Sequence, residues 1–205
     1  MKTNLVAIYH HPALQPLHEA IGRQDHRTLV LWALDTGMEV LEIFTRFFPE
    51  DSRPEMALAA AEAWSKGEIK MPAAKRAAKE THQAAKEAQQ VPAATAAAHA
   101  MGQIIGVVHV ATHATAYAAY AVQASVLLIQ QNQETGRITD QTQTTDLNQT
   151  TDLNQTTDLN QTTDPKQYLD QVQNAATFEA VDRLLRRLSY WAEAPQEERP
   201  WASFL

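Results

Sequence analysis

The sequence predicts an all-α protein: a single bundle of about five to six helices around a central alanine-rich helix, with a low-complexity hexapeptide-repeat insertion towards its C-terminal end. Alanine, which loses no side-chain entropy in a helix, fills 25 of the 68 positions from Ala57 to Ala124. Glycine is scarce, at six in 205 residues. No stretch alternates apolar and polar residues as a half-buried strand would. The length suits one domain with an appendage, and a hydrophobic share of 44% is enough to build a core.

The helix signals follow in order along the chain. Asp25 is placed to cap a first long helix running to about Phe47, with Leu29, Trp32, Val40, Leu41, Phe44 and Phe47 at helical spacing. Ser52-Arg53-Pro54-Glu55 has the spacing of a capping box with proline in the first turn, so a second helix starts there. It should reach Trp64 and stop at Gly67, a residue free to take the left-handed conformation. A third begins near Pro72, and its Lys75, Arg76, Lys79, Glu80, Lys86 and Glu87 read as a solvated face. Val91-Pro92 breaks it. The next helix is expected to run unbroken from about Pro92 to Gln130, and no Asp, Glu, Lys or Arg occurs between Glu87 and Glu134. A membrane span needs ~20 apolar residues. This stretch is mostly alanine, with His99, His109, His113, Gln103 and Gln123, and reads as a central helix buried on most sides. Small residues recur every four positions (Ala94, Ala98, Gly102, Gly106, Val110, Ala114, Ala118), a ridge that lets another helix approach closely.

After Gly136 the hexapeptide Thr-Thr-Asp-Leu-Asn-Gln repeats from Thr144, and its last copy ends at Thr162-Thr163-Asp164. One Leu per unit buries too little for a β-helix coil, so residues 138–164 read as a polar linker or insertion. The chain then divides into a helical body (1–137), this insertion, and a C-terminal helix with a tail (165–205) that packs on the body. Asp164, Pro165 and Gln167 mark the start of that helix. Tyr168, Val172, Ala175, Phe178, Val181, Leu185 and Leu188 form its expected core face, which Trp191 extends, while Arg183, Arg186 and Arg187 read as a solvated patch.

Charge and composition exclude several function classes. There are 17 basic and 24 acidic side chains, for a formal charge of −7, which argues against nucleic-acid binding. Five of the acids (Asp140, Asp146, Asp152, Asp158, Asp164) lie in the repeat tract, which has no Lys or Arg, so the rest of the chain is nearly neutral. With no cysteine, disulfides, thiolate metal sites and cysteine nucleophiles are excluded. The N-terminal segment, with its very short apolar run broken by His10, His11 and Pro12, does not read as a secretory signal, so a cytoplasmic location is the default. No glycine-rich phosphate loop, nucleophile elbow or EF-hand loop is present.

Two features carry chemistry. His109 and His113, spaced i and i+4 on the expected central helix, would share a face and could chelate one metal ion. Valine at 110 removes the general base of the H-E-x-x-H metalloproteases, and His99 lies ~15 Å away along the helix axis. His82, or a carboxylate from another helix, could supply a third ligand. The favoured reading of the pair is two buried, hydrogen-bonded core histidines, with a metal-binding protein or metal-dependent enzyme using His109 and His113 as the alternative. Asp35, inside the apolar run Trp32-Ala33-Leu34-Asp35, must sit at the solvent edge or be paired, and a histidine of the central helix is the expected partner.

The motif order Trp32-Ala33-Leu34-Asp35, Arg53-Pro54, Ala61-Glu62-Ala63-Trp64, Gly67-Glu68-Ile69, Ala97-Ala98-His99-Ala100 and His109-Val110-Ala111-Thr112-His113-Ala114, followed by Tyr117 and Tyr120-Ala121, resembles the immunity-protein-five-like family of bacterial polymorphic toxin systems. The resemblance covers roughly residues 23–125 and, more weakly, the final helix; the repeat departs from it. It implies a cytoplasmic, non-enzymatic protein without cofactor that binds and neutralises a cognate toxin. It supplies no site residues, so Trp32, Asp35, Trp64, His99, His109 and His113 are taken as a structural motif. Glu50, Asp51 and the acidic tract are the expected anchors for a toxin partner. No nucleic acid or membrane partner is expected, and the oligomeric state is left open. A helical scaffold whose repeat binds a partner is a third reading.

Overall fold

The computed structural model describes residues 5–146, 165–194 and 201–205. Every regular element among them is helical: α1 (Leu5–Tyr9), a 3-10 turn (Pro12–Leu14), α2 (Gln15–Gly22), α3 (His26–Thr45), α4 (Arg53–Ser65), α5 (Met71–Glu87), α6 (Pro92–His109), α7 (His113–Asp146) and α8 (Pro165–Glu193). No described helix is long and apolar enough to cross a membrane.

Local chemistry sets most of the boundaries. Asp25 caps α3 as its position predicts: one carboxylate oxygen accepts from the Thr28 backbone N–H (3.0 Å) and the other from the Thr28 hydroxyl (2.7 Å). The capping box expected at Ser52 does not form. The Ser52 hydroxyl points to the Met56 sulfur, and Asp51, one residue earlier, accepts from the Arg53 backbone N–H (3.1 Å) and grips the Arg53 guanidinium with both oxygens. A carboxylate facing both a free helix N–H and a guanidinium outcompetes a neutral hydroxyl there. At the other end of α4, Gly67 takes φ +77°. Its N–H bonds to the Trp64 carbonyl (3.0 Å) and that of Glu68 to the Ala63 carbonyl (2.9 Å), the paired pattern of a Schellman cap.

The expected continuous helix over 92–130 is two helices. Val110 adopts an extended conformation (φ −148°, ψ 124°), which ends α6, and α7 folds back to pack along it. An unbroken helix would carry the apolar residues after His109 beyond the end of α6 and away from the bundle. Folded back, twelve residues of α6 are buried, and α6 packs on α3, α4, α5 and α7 together. This split, with the short α1 and α2, raises the described helix count above the five or six expected. The helix α7 also continues past the expected end near Gln130 to Asp146. The repeats from residue 147 and the Asp164 cap lie outside the described residues.

The core face of α8 keeps Val181 and Leu188 of the expected residues but not Ala175 or Phe178, and the side chains of Tyr168 and Val172 lie outside the described residues. Among its described residues, Ala176, Thr177, Ala180, Val181, Leu184 and Leu188 are buried, while Phe178 is 59% exposed. Small side chains take the inner positions because α3 and α7 both press on this helix.

A polar clasp sets its rotation. Trp32 is fully buried, edge-on to Tyr117 (5.3 Å between centroids, 85°), and its Nε1 donates to the Leu184 carbonyl (3.1 Å). The Thr36 hydroxyl donates to the Trp32 carbonyl (2.7 Å), so it accepts from the Tyr117 hydroxyl (2.7 Å). Burial pushes the Tyr117 phenol up, and it stays protonated as this bond requires. Asp35 pairs not with a central-helix histidine but with α8. Its Oδ2 accepts from Arg187 Nε (2.7 Å) and Trp191 Nε1 (2.9 Å), and its Oδ1 accepts from Arg187 Nη2. The arginine patch is correspondingly engaged: Arg183 reaches Glu39 (3.8 Å) and Arg186 pairs with Asp182 (2.7 Å).

Asp35→Ala should cost about 1–2 kcal/mol, since the clasp is part-exposed, and leave the Trp191 N–H without its acceptor. The thermal midpoint should fall by roughly 2–4 °C per kcal/mol. An unchanged midpoint would show that the clasp is decorative.

The chain end closes over α4. The Ala202 N–H bonds to the Ser65 carbonyl (2.8 Å), Phe204 packs on Trp64 (5.4 Å), and Arg27 lies over Trp201 while donating to the Leu205 carbonyl (3.1 Å).

Candidate functional site

Where α4, α5, α6 and the start of α7 meet, a groove of about 200 Å³ opens to the surface, lined among others by Trp64, Lys75, His82, Gln103, His109 and His113. Two glycines of α6 shape its floor. A Cβ on Gly102 would stand 2.6 Å from the His82 ring, and one on Gly106 would stand 2.6 Å from the His113 ring. The ridge Gly102-x-x-x-Gly106 thus seats imidazoles.

The helix break between His109 and His113 decides their roles. One is the last residue of α6 and the other the first of α7, so they do not share a helical face. Both are exposed, contrary to the expectation of core histidines. Each ring is held by other contacts: His109 stacks on Trp64 (5.8 Å, 28°), and His113 Nδ1 bonds to Gln103 Oε1 (2.8 Å). Among the described residues, no three His, Asp or Glu side chains are grouped to hold a metal ion.

His99 and His82 form the actual histidine pair. Their Nδ1 atoms are 3.3 Å apart, so one nitrogen carries the proton and the other accepts it, which fixes opposite tautomers. His99 also stacks on Tyr120 (5.1 Å, 28°). Burial lowers the pKa of both rings, and Lys86 lowers both further; for His99 the nearby His82 adds to this. A folded pKa below the ordinary 6.5 means that the unfolded chain binds protons first as the pH falls. Stability from this pair is therefore complete above about pH 6.5 and is lost progressively below it. His18, lowered by burial and by His10, acts in the same direction. The thermal midpoint should fall between about pH 7.5 and 5.5, and fall less in His99→Gln. Equal falls in the two proteins would remove the pair as the cause.

Of the residues read from the sequence as one motif, the fold divides Trp32 and Asp35 from Trp64, His109 and His113. The first two build the α3–α8 clasp; the others line the groove. His99 lies behind the groove, against His82. Sequence reasoning missed Lys75 as a groove residue, because its charged neighbours on α5 resemble any solvated face. It also missed His26, whose Nε2 donates to the Val107 carbonyl (2.6 Å) and ties the start of α3 to the end of α6.

The chain belongs to a family described as Imm-5 like putative immunity protein, whose model matches residues 19–150, from α2 to just beyond α7. No curated protein and no solved structure matches it.

Proposed function

We propose that this member of the immunity-protein family binds and neutralises a cognate bacterial toxin in the cytoplasm, as a non-enzymatic inhibitor without cofactor. Family membership is the observation that carries this reading. Inhibition of this kind needs a complementary surface with a few well-held anchors. Of the acidic anchors expected from sequence, Glu50 is exposed. Asp51 is committed to Arg53, which also bonds Glu87. That internal network leaves Asp51 little to offer a partner, and burial of the Asp51 carboxylate counters only part of the lowering that Arg53 imposes on its pKa.

The test is titration of the purified toxin encoded beside this gene with the full chain, followed by toxin activity and by mass on a sizing column. Stoichiometric loss of activity together with a complex is expected. Full toxin activity at excess chain, with no complex, would exclude the reading. Deleting residues 144–161 should leave both readouts unchanged, because those repeats lie outside the matched region apart from their first residues; loss of binding on deletion would make the tract the partner site.

A further inference from the structure

We infer that the histidine-lined groove seats an acidic side chain of the partner toxin, its carboxylate among Lys75, His82, His109 and His113; this rests on the immunity reading above. Every ionisable group lining the groove is basic, and no carboxylate lines it. Lys75 supplies a positive charge there, and the imidazoles supply ring nitrogens beside it. A single lysine, with no stripe of Lys or Arg along the lining, is too little for a nucleic-acid backbone and suits one protein carboxylate.

The size agrees. A cavity of about 200 Å³ falls below the roughly 300–1,000 Å³ of sites for whole small molecules, and suits one side chain. The rim points to a protein partner. Phe204, 49% exposed, packs on Trp64; Val110, 40% exposed, follows His109; Met71, 36% exposed, stands one helical turn before Lys75. Exposed apolar side chains beside a charged group are the make-up of an interaction surface.

The groove is also preorganised. Trp64 holds the His109 ring, Gln103 holds His113, and His99 holds His82, so binding orders few side chains. The glycines let the rings approach α6 closely, and a side chain at Gly102 or Gly106 would displace the His82 or His113 ring.

The test uses the full chain labelled with ¹³C at histidine and three probes: acetyl-Leu-Glu-Leu-amide, the same peptide with Gln for Glu, and inorganic phosphate. The Glu peptide should give saturable shifts at His82, His109 and His113. Binding should be at least about tenfold weaker for the Gln peptide, and as much weaker for Glu peptide on Lys75→Glu. Shifts spread evenly over all eight histidines, or equal binding of the Gln peptide or of phosphate, would overturn the inference. Lys75 is exposed, so Lys75→Glu should fold with an unchanged thermal midpoint. With the toxin in hand, the same variant should inhibit at least about tenfold less well. Equal inhibition by variant and wild type would overturn the groove as the toxin site while the immunity reading stands. A wild-type chain that inhibits nothing would overturn that reading itself, and the peptide titration would still decide whether the groove takes an acid.

Discussion

Trp32→Ala should destabilise the protein by about 3–5 kcal/mol, the range for truncating a large buried aromatic. Three losses coincide at this residue. The side chain is fully buried, so its removal leaves a hole that a helical core closes only in part. The edge-on contact with Tyr117 disappears, and so does the Nε1 hydrogen bond to the Leu184 carbonyl of α8. Since domains of this size are held by about 5–15 kcal/mol in total, a chemical-denaturation curve should show a large shift in midpoint. Trp32→Phe separates the parts: it keeps most of the volume but removes the Nε1 hydrogen bond to α8, at a cost of about 0.5–1.5 kcal/mol. If both substitutions left the midpoint unmoved, α8 would not be docked through Trp32.

Ala97→Leu should also destabilise, towards the upper end of about 1–3 kcal/mol, although it adds apolar surface and leucine is nearly as good a helix former as alanine. Ala97 is fully buried on α6, as are Ala93, Ala94, Ala98 and Ala100. Four helices pack on α6, and Ala97 has no exposed surface, so the added carbons have nowhere to go without separating helices. The measurement is again the denaturation midpoint. A neutral or stabilised variant would mean that the alanines are there for propensity alone and not for close packing.

The two substitutions bracket how the core is built, from one large aromatic hinge and a tightly approached alanine helix. The second of these was legible in the sequence, since alanine at that density has no other economical use. Local signals were legible as well: Asp25 as a cap, Gly67 as a stop and Pro92 as a start depend on neighbours within a few residues. Ser52 misled because Asp51, adjacent to it, competes for the same helix end with the added attraction of Arg53. The turn after His109 gave no warning. It is built from Val110, Ala111 and Thr112, without glycine or proline, and what favours it is tertiary, the packing of α7 back along α6.

The groove was the least legible part. Its rings come from α4, α5, α6 and α7, and its pairings are tertiary: His82 with His99, and Trp64 with His109. The partner of Asp35 lies 152 positions away on α8. Spacing along one helix placed His109 and His113 on a shared face, and the intervening break removed that face. What the spacing did carry was the glycine interval Gly102 to Gly106, whose use is to admit histidine rings.

The central claim is that this chain protects a cell from a toxin by binding it, and growth reads this most directly. Cells induced to make the toxin encoded beside this gene should stop growing alone and recover when the wild-type chain is co-expressed. Recovery should be weaker with Trp32→Ala, in proportion to the folded protein that remains. Continued arrest in the presence of abundant, folded wild-type chain would contradict the account.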